Sequence, residues 1–202
     1  MSVILHETST PQYWDALYEA GRYVHGISAF ECQMFRSYVD PRPDSLALDA
    51  GCARGDFAAY LGAWGLDVLG LDFSATAIAQ ARRDFKDQDH LVFDVHDFVT
   101  APIPSGIRPG TFDLVVCRLS LPYLDPQRFL VDARRWLKPT GVLHITTHIT
   151  ERMPPGLRHR GLPKAAVEEL ATEWEHAVRY DLDGDGALTC VVLRGPYPHP
   201  RR

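Results

Sequence analysis

The chain lacks the features that announce several common kinds of protein. Its four cysteines, Cys32, Cys52, Cys117 and Cys190, are scattered over 202 residues with no CxxC pair, so neither a zinc site nor a disulfide framework is suggested. Reduced thiols in a cytoplasmic protein are the expectation. No apolar stretch approaches a membrane span, and the short apolar run in MSVILHETST is too brief for a signal peptide. Positive charge is in deficit: 21 Lys and Arg stand against 26 Asp and Glu, a formal net charge of -5. That balance argues against bulk electrostatic attachment to nucleic acid. Internal repeats and low-complexity tracts are missing too.

What is there is an ordinary core-forming composition, 46% hydrophobic, enough for one domain. The expected plan is a single domain over 1–202, with a helical lid at 1–44, an α/β core at 45–195 and a frayed tail at 196–202. From Asp44 onward apolar runs alternate with helical patterns, as in a parallel sheet wrapped by helices. SLALDAG is the first strand candidate. DFAAYLGAW follows with Phe57, Tyr60, Leu61 and Trp64 at helical spacing and Gly65 as a stop. DVLGLDF is the second strand, Ser74 caps the helix ATAIAQARRDF, and HLVFDVHDF is the third strand. FDLVVCRLS reads as a buried fourth strand. DPQRFLVDARRWLKPTG is a helix with Phe129, Leu130, Ala133, Trp136 and Leu137 on one face, ended by PTG before the strand VLHITTHI. LPKAAVEELATEW is a further helix, and EHAVRYDL and LTCVVLRG form a terminal antiparallel hairpin around DGDGA. DLDGDGALT imitates a calcium loop at Asp181, Asp183, Asp185 and Gly186, but Val192 stands where the closing bidentate Glu belongs. No metal is expected.

The stretch LALDAGCARGDFAAYLGAWG carries the chemistry. Gly51 and Gly55 fall where a strand ends and a helix begins, which offers backbone amides and a positive helix end to a polar or anionic ligand. Asp72 ends the second strand 21 positions after Gly51, where a carboxylate can accept both hydroxyls of a ribose. An adenosyl-type ligand is indicated. A dinucleotide site would read GxGxxG, whereas here the sixth position is Asp56, so NAD is disfavoured. A tight turn beside an exposed carboxylate is the plainer alternative.

These motifs resemble those of the class I S-adenosylmethionine-dependent methyltransferases. LDAGCARG is similar to the first motif of that family, LGLDFS to the second and FDVHDF to the third; FDLVVCRLSLPYL and LKPTG complete the order. The resemblance implies a Rossmann-like, seven-stranded, mostly parallel sheet with helices on both faces and an antiparallel C-terminal hairpin. It also implies S-adenosyl-L-methionine as cofactor. Asp49 would answer the cofactor's amino group, Asp72 the ribose, Phe73 the adenine and Asp97 the adenine amino group beside Phe98. Cys52, Ala53 and Cys117 join this cofactor set with Gly51 and Gly55. Ala53 is a departure, because a glycine is commoner there. YWDALYEAGRYVHG resembles the lid of thiopurine and tellurite-resistance type small-molecule methyltransferases, with Trp14, Tyr18 and Gly21 matching. Its aromatics would close on the sulfonium, or else staple the helix to the core.

Residues at the carboxyl ends of the strands face the ligand crevice in open α/β sheets. That rule selects Arg118, Ser120 and Tyr123 after the fourth strand and His148 after the fifth, and His25 could reach from the lid. His148 is the candidate base, with Tyr123 as second catalytic candidate; Arg118 suits an acidic group on the substrate, or an ordinary ion pair. The expected activity is methyl transfer to a small molecule by a monomer or homodimer with no nucleic acid or membrane partner. The alternatives are a nucleic-acid or protein methyltransferase, and a subunit that binds S-adenosylmethionine without catalysis. The absence of an NPPY-like tetrapeptide, LSLP standing instead, counts against nucleic-acid methylation.

Overall fold

The computed structural model describes residues 10–22, 26–104 and 106–196. The chain is organised as two compact units, residues 1–104 and 105–202.

In the first unit, helix α1 (Pro11–Glu19) starts at Thr10, whose hydroxyl accepts from the Tyr13 amide, and Pro11 sits at N1, where its missing N–H costs nothing. Helix α2 (Ala29–Val39) is capped by Ser28, whose side chain accepts from the Glu31 amide at 3.0 Å, and it buries Glu31, Phe35 and Val39. The Ser28-x-x-Glu31 pattern is a capping-box signature, a signal the sequence reading passed over. Strands β1 (Leu46–Ala50), β2 (Asp67–Asp72) and β3 (Leu91–Val95) are parallel, in the order β3-β2-β1. Two helices cross between them, α3 (Asp56–Ala63) and α4 (Ala75–Asp84). The expected cap of α4 is present: Ser74 Oγ accepts from the Ala77 amide at 3.0 Å. On α3 the buried side is Phe57, Ala58, Leu61 and Gly62, while Tyr60 is exposed, contrary to its expected place on the apolar face. β3 ends at Val95, short of the expected run, because Asp97 starts a turn there.

In the second unit, β4 (Phe112–Arg118) pairs in parallel with β5 (Leu137–Ile149). Helix α5 (Pro126–Trp136) joins them, capped by Asp125 and burying Phe129, Ala133 and Trp136. Burial of Phe129 alone contributes about 2 kcal/mol. β5 begins at Leu137, before the PTG expected to precede it: Phe112 pairs with Leu137 and Leu114 with Val142, and the register shift between them absorbs the extra residues. A two-residue strand β6 (Gly161–Leu162) adds to β5, followed by the short helix α6 (Lys164–Glu169). Strands β7 (Trp174–Asp181) and β8 (Leu188–Pro196) form the expected hairpin, with β8 antiparallel to both β5 and β7. Asp183 closes the hairpin loop by accepting from the Ala187 and Leu188 amides, each at 2.9 Å. The fold class is the expected mostly parallel α/β one, with β6 as an eighth strand.

Candidate functional site

The loop after β1 turns through three left-handed residues, Gly51 (φ 73°), Ala53 (φ 52°) and Gly55 (φ 81°). The Gly51 and Cys52 amides donate to the Leu71 carbonyl at 2.8 and 3.1 Å, which lays the loop over the end of β2. Gly55 is the N-cap of α3 and supplies no side chain to its amides, so the positive end of that helix is left to other acceptors. A Cβ on Gly55 would lie 2.6 Å from the Phe93 ring, so the close packing of loop on β3 demands glycine. Ala53 holds the left-handed conformation without being glycine, at a cost of about 1 kcal/mol, which explains why a glycine suits this position better.

Asp72 is buried at the end of β2. Its Oδ2 accepts from the Ala53 amide and its Oδ1 from the Ser74 amide, each at 2.9 Å. One carboxylate therefore fastens the glycine loop to the N-terminus of α4. Burial pushes its pKa up to about 6; the amides of Ser74, Ala53 and Phe73 pull the other way, and the Asp15 carboxylate adds to the rise. Asp49 is buried at the end of β1, and the buried Cys52 thiol is pushed up by burial and then by the charges of Asp49 and Asp72. The thiol is therefore no nucleophile at neutral pH. Phe73 is partly exposed.

Asp97 has both oxygens engaged: Oδ1 accepts from the Val99 amide at 2.8 Å and Oδ2 from the Thr100 hydroxyl at 2.5 Å. Burial raises its proton affinity, but the Thr100 hydroxyl, the Val99 and Thr100 amides and the nearby His96 hold it below the usual carboxylate range. Phe98 is buried with the His96 ring edge-on at 4.7 Å. The His96 amide donates to the Asp72 carbonyl at 2.8 Å, which ties this turn to the end of β2.

Trp14 and Tyr18 are both buried, with ring centroids 6.0 Å apart. What fixes α1 is a residue the sequence reading missed. Asp15 Oδ1 accepts from the Ser74 hydroxyl at 2.5 Å and from the Thr76 amide at 3.0 Å, while Gln80 Nε2 donates to the Tyr18 carbonyl at 3.3 Å. Asp15 thus adds a second carboxylate to the N-terminus of α4, 59 positions along the chain from its serine partner. No local pattern could reveal it.

In the second unit, Arg118 ends β4 opposite Thr146, and Leu119 then takes a left-handed conformation (φ 60°), its amide donating to the Thr146 carbonyl at 2.8 Å. A γ-branched residue held so is strained, and such strain gathers at functional positions. Ser120 Oγ donates to the Arg118 carbonyl at 3.1 Å, and Tyr123 closes the short 3₁₀ segment Leu121–Tyr123. Strand alternation puts Arg118, His144, Thr146 and His148 on one face of the sheet and Cys117 on the other. Cys117 is fully buried there. His148 is half-buried and its proton affinity is lowered, chiefly by burial and then by Arg118 and Arg160, against a hydrogen bond to the Ala187 backbone and the Asp183 charge. His144, unremarked in the sequence, is fully buried with Nε2 2.8 Å from the Tyr180 hydroxyl, and burial with the Arg118 charge pushes it down to about 3. It is a neutral core histidine. His25 lies outside the described residues.

Comparison with known proteins bears on this arrangement. The family described as "Methyltransferase domain" matches residues 48–145, just under half of the chain. Malonyl-[acyl-carrier protein] O-methyltransferase of Enterobacter lignolyticus is 36% identical over 108 residues, 53% of this chain and 40% of that protein. Ubiquinone biosynthesis O-methyltransferase of Pectobacterium carotovorum is 30% identical over 115 residues, 54% and 47% of the two chains. The chain thus spans less than half the length of these curated relatives. Among solved structures, a Haemonchus contortus phosphoethanolamine N-methyltransferase 2 in complex with S-adenosyl-L-methionine superposes with a TM-score of 0.72, at 16% identity, over 97% of this chain and 60% of the other. That likeness is one of fold.

Proposed function

We infer that this chain, whose residues 48–145 match the family described as "Methyltransferase domain", is a class I, S-adenosylmethionine-dependent enzyme that transfers a methyl group to a small-molecule acceptor by in-line displacement. The observation that carries the reading is Asp72: one buried carboxylate at the end of β2 is held by the glycine loop and the start of α4, and each oxygen keeps a lone pair with which an acid in this position can accept a ribose hydroxyl. The O-methyltransferase relatives support a small acceptor.

S-adenosylmethionine supplies a methyl group already activated on a sulfonium, so the protein has chiefly to align the acceptor and exclude water, which is worth several kcal/mol. Asp49, Gly51, Cys52, Ala53, Gly55, Asp72, Phe73, Asp97, Phe98 and Cys117 are proposed for the cofactor. Trp14 and Tyr18 join them as the aromatic cover, the point at which the chain is similar to the thiopurine and tellurite-resistance subgroup. Arg118, Ser120, Tyr123 and His25 are proposed for the acceptor. His148 serves as base where the acceptor carries a proton: with its proton affinity lowered the ring is neutral at pH 7 and can accept one. The single-domain plan over 1–202, with 1–44 as cover, belongs to the same proposal.

Calorimetry with S-adenosylhomocysteine tests the cofactor half of this reading. Product formation from labelled S-adenosylmethionine, across small thiols, amines, phenols and oxyanions, tests the transfer. Tight binding with no product from any class would reduce the chain to a cofactor-binding subunit.

A further inference from the structure

We propose that the outer edge of β7 is a docking surface for a second copy of this chain, the two strands running antiparallel about a two-fold axis at Ala177. The inference stands on the second unit alone and is independent of the methyl-transfer reading.

β7 closes one end of the strand order, and among the described residues no strand pairs with its far side. The hairpin fixes which backbone groups point there. The Leu182 amide donates to the Leu188 carbonyl at 2.8 Å just beyond the strand, so by alternation each even-numbered residue of β7 turns its N–H and C=O to β8. Glu175, Ala177, Arg179 and Asp181 turn theirs outward. Residues 175–179 are exposed in succession, so neither face of the strand is covered there. Exposed edges are commonly blunted by proline, lysine or a bulge. WEHAVRYD has neither proline nor lysine, and its pairing with β8 keeps one register from His176 to Asp181.

The charges on this edge say what covers it. A closed pair of identical edges is isologous, so each residue meets one fixed residue of the other copy. With the axis at Ala177, Glu175 of each copy lies opposite Arg179 of the other, two ion pairs on one face of the sheet. On the other face the exposed Val178 meets His176, and Trp174 meets Tyr180. Moving the axis to Val178 sets Glu175 against Asp181, and moving it to His176 sets Glu175 against Ala177. A parallel pairing in register sets each charge against its own like. Within one copy Arg179 Nε donates to the Thr189 hydroxyl at 2.8 Å and Nη2 stands 3.5 Å from Asp181, which leaves further N–H groups for a second copy. The Glu175 side chain is 64% exposed, with its carboxylate 3.8 Å from His176 Nε2.

Sedimentation equilibrium of the intact chain reads the association. One strand pair is a small interface, so a dissociation constant of about 1 to 100 μM is expected. Glu175→Arg and Arg179→Glu each set like charges opposite and should weaken association roughly tenfold or more. Mixed one to one, the two variants regain opposite charges at both positions and should form a heterodimer within about threefold of the intact affinity. Ala177→Pro removes an outward N–H and no bond to β8, and it should abolish association while circular dichroism shows the fold intact. A chain still monomeric at about 0.5 mM overturns the proposal. Charge variants that dimerise as tightly as the intact chain also overturn it, because the contact then lies on another surface, as does a mixture that associates no better than its parts.

Discussion

At Asp72 the observed fastening of loop to helix and the proposed binding of a ribose fall on one carboxylate, and the two demands oppose each other in pH. Its folded value of about 6 stands above the ordinary 3.8. The group therefore favours the folded protein below about pH 4, and that contribution, on the order of 2 to 3 kcal/mol, is lost as pH rises through 6. Ribose hydroxyls donate best to the ionised form. S-adenosylhomocysteine affinity should therefore fall by up to about tenfold from pH 6 to pH 5, and calorimetry of Asp72→Asn should show weaker binding with this pH dependence gone. The loop glycine and its alanine neighbour make a contrasting pair. Gly55→Ala drives a methyl group into Phe93 and should destabilise the chain by about 1 to 3 kcal/mol. Ala53→Gly releases a left-handed alanine and should leave the urea midpoint unchanged or raised, where an ordinary helix Ala→Gly costs about 1 kcal/mol. These residues were legible because strand, turn and carboxylate are close in sequence. The pairing of His144 with Tyr180, and the consequence that His144 is neutral core, depends on strands far apart in the chain and left no local trace.

At the scale of elements, the test case is α1. It is held to α4 by Asp15 and Gln80, and Trp14 and Tyr18 are buried. Asp15→Ala should raise the amide exchange of residues 11–19 by roughly five- to thirtyfold, the equivalent of about 1 to 2 kcal/mol, while strands β1 to β3 keep their protection. The same variant removes a charge that raises Asp72, so the pH midpoint of S-adenosylhomocysteine binding should move down; loss of packing alone would leave it in place. Strong exchange protection of residues 11–19 that survives this substitution would defeat the role of Asp15. The alternation of β1 to β5 with α3 to α5 could be read because apolar period and caps agreed, as at Ser74 and Asp125. The start of β5 could not: PTG is a stop signal locally, and pairing with Phe112 overrides it. Residues 155–160 have no apolar period at all, so β6 and its 3₁₀ approach were invisible.

For the molecule as a whole, a ligand that binds only the folded state stabilises it by mass action. S-adenosylhomocysteine at a hundred times its dissociation constant should contribute about 2.7 kcal/mol, a rise in melting temperature of roughly 5 to 10 °C for a chain of this size. NAD should give none, because the loop lacks the glycine its pyrophosphate needs; an equal shift with NAD would overturn the reading of the loop. The strand order of the second unit has a further consequence, in the history of each molecule as it is made. β8 lies between β5 and β7, yet of these three strands it is the last to be synthesised. Until residues 188–196 have left the ribosome, the seven residues Val142–His148 of β5 that pair with β8 lack a neighbour on one side, and an uncovered strand edge invites pairing with other nascent chains. A chain stopped before Leu188 should collect in inclusion bodies, and supplying β8 as a separate peptide during refolding should return part of it to solution. In such a protein the codons for residues 188–196 govern the fate of strands translated well before them.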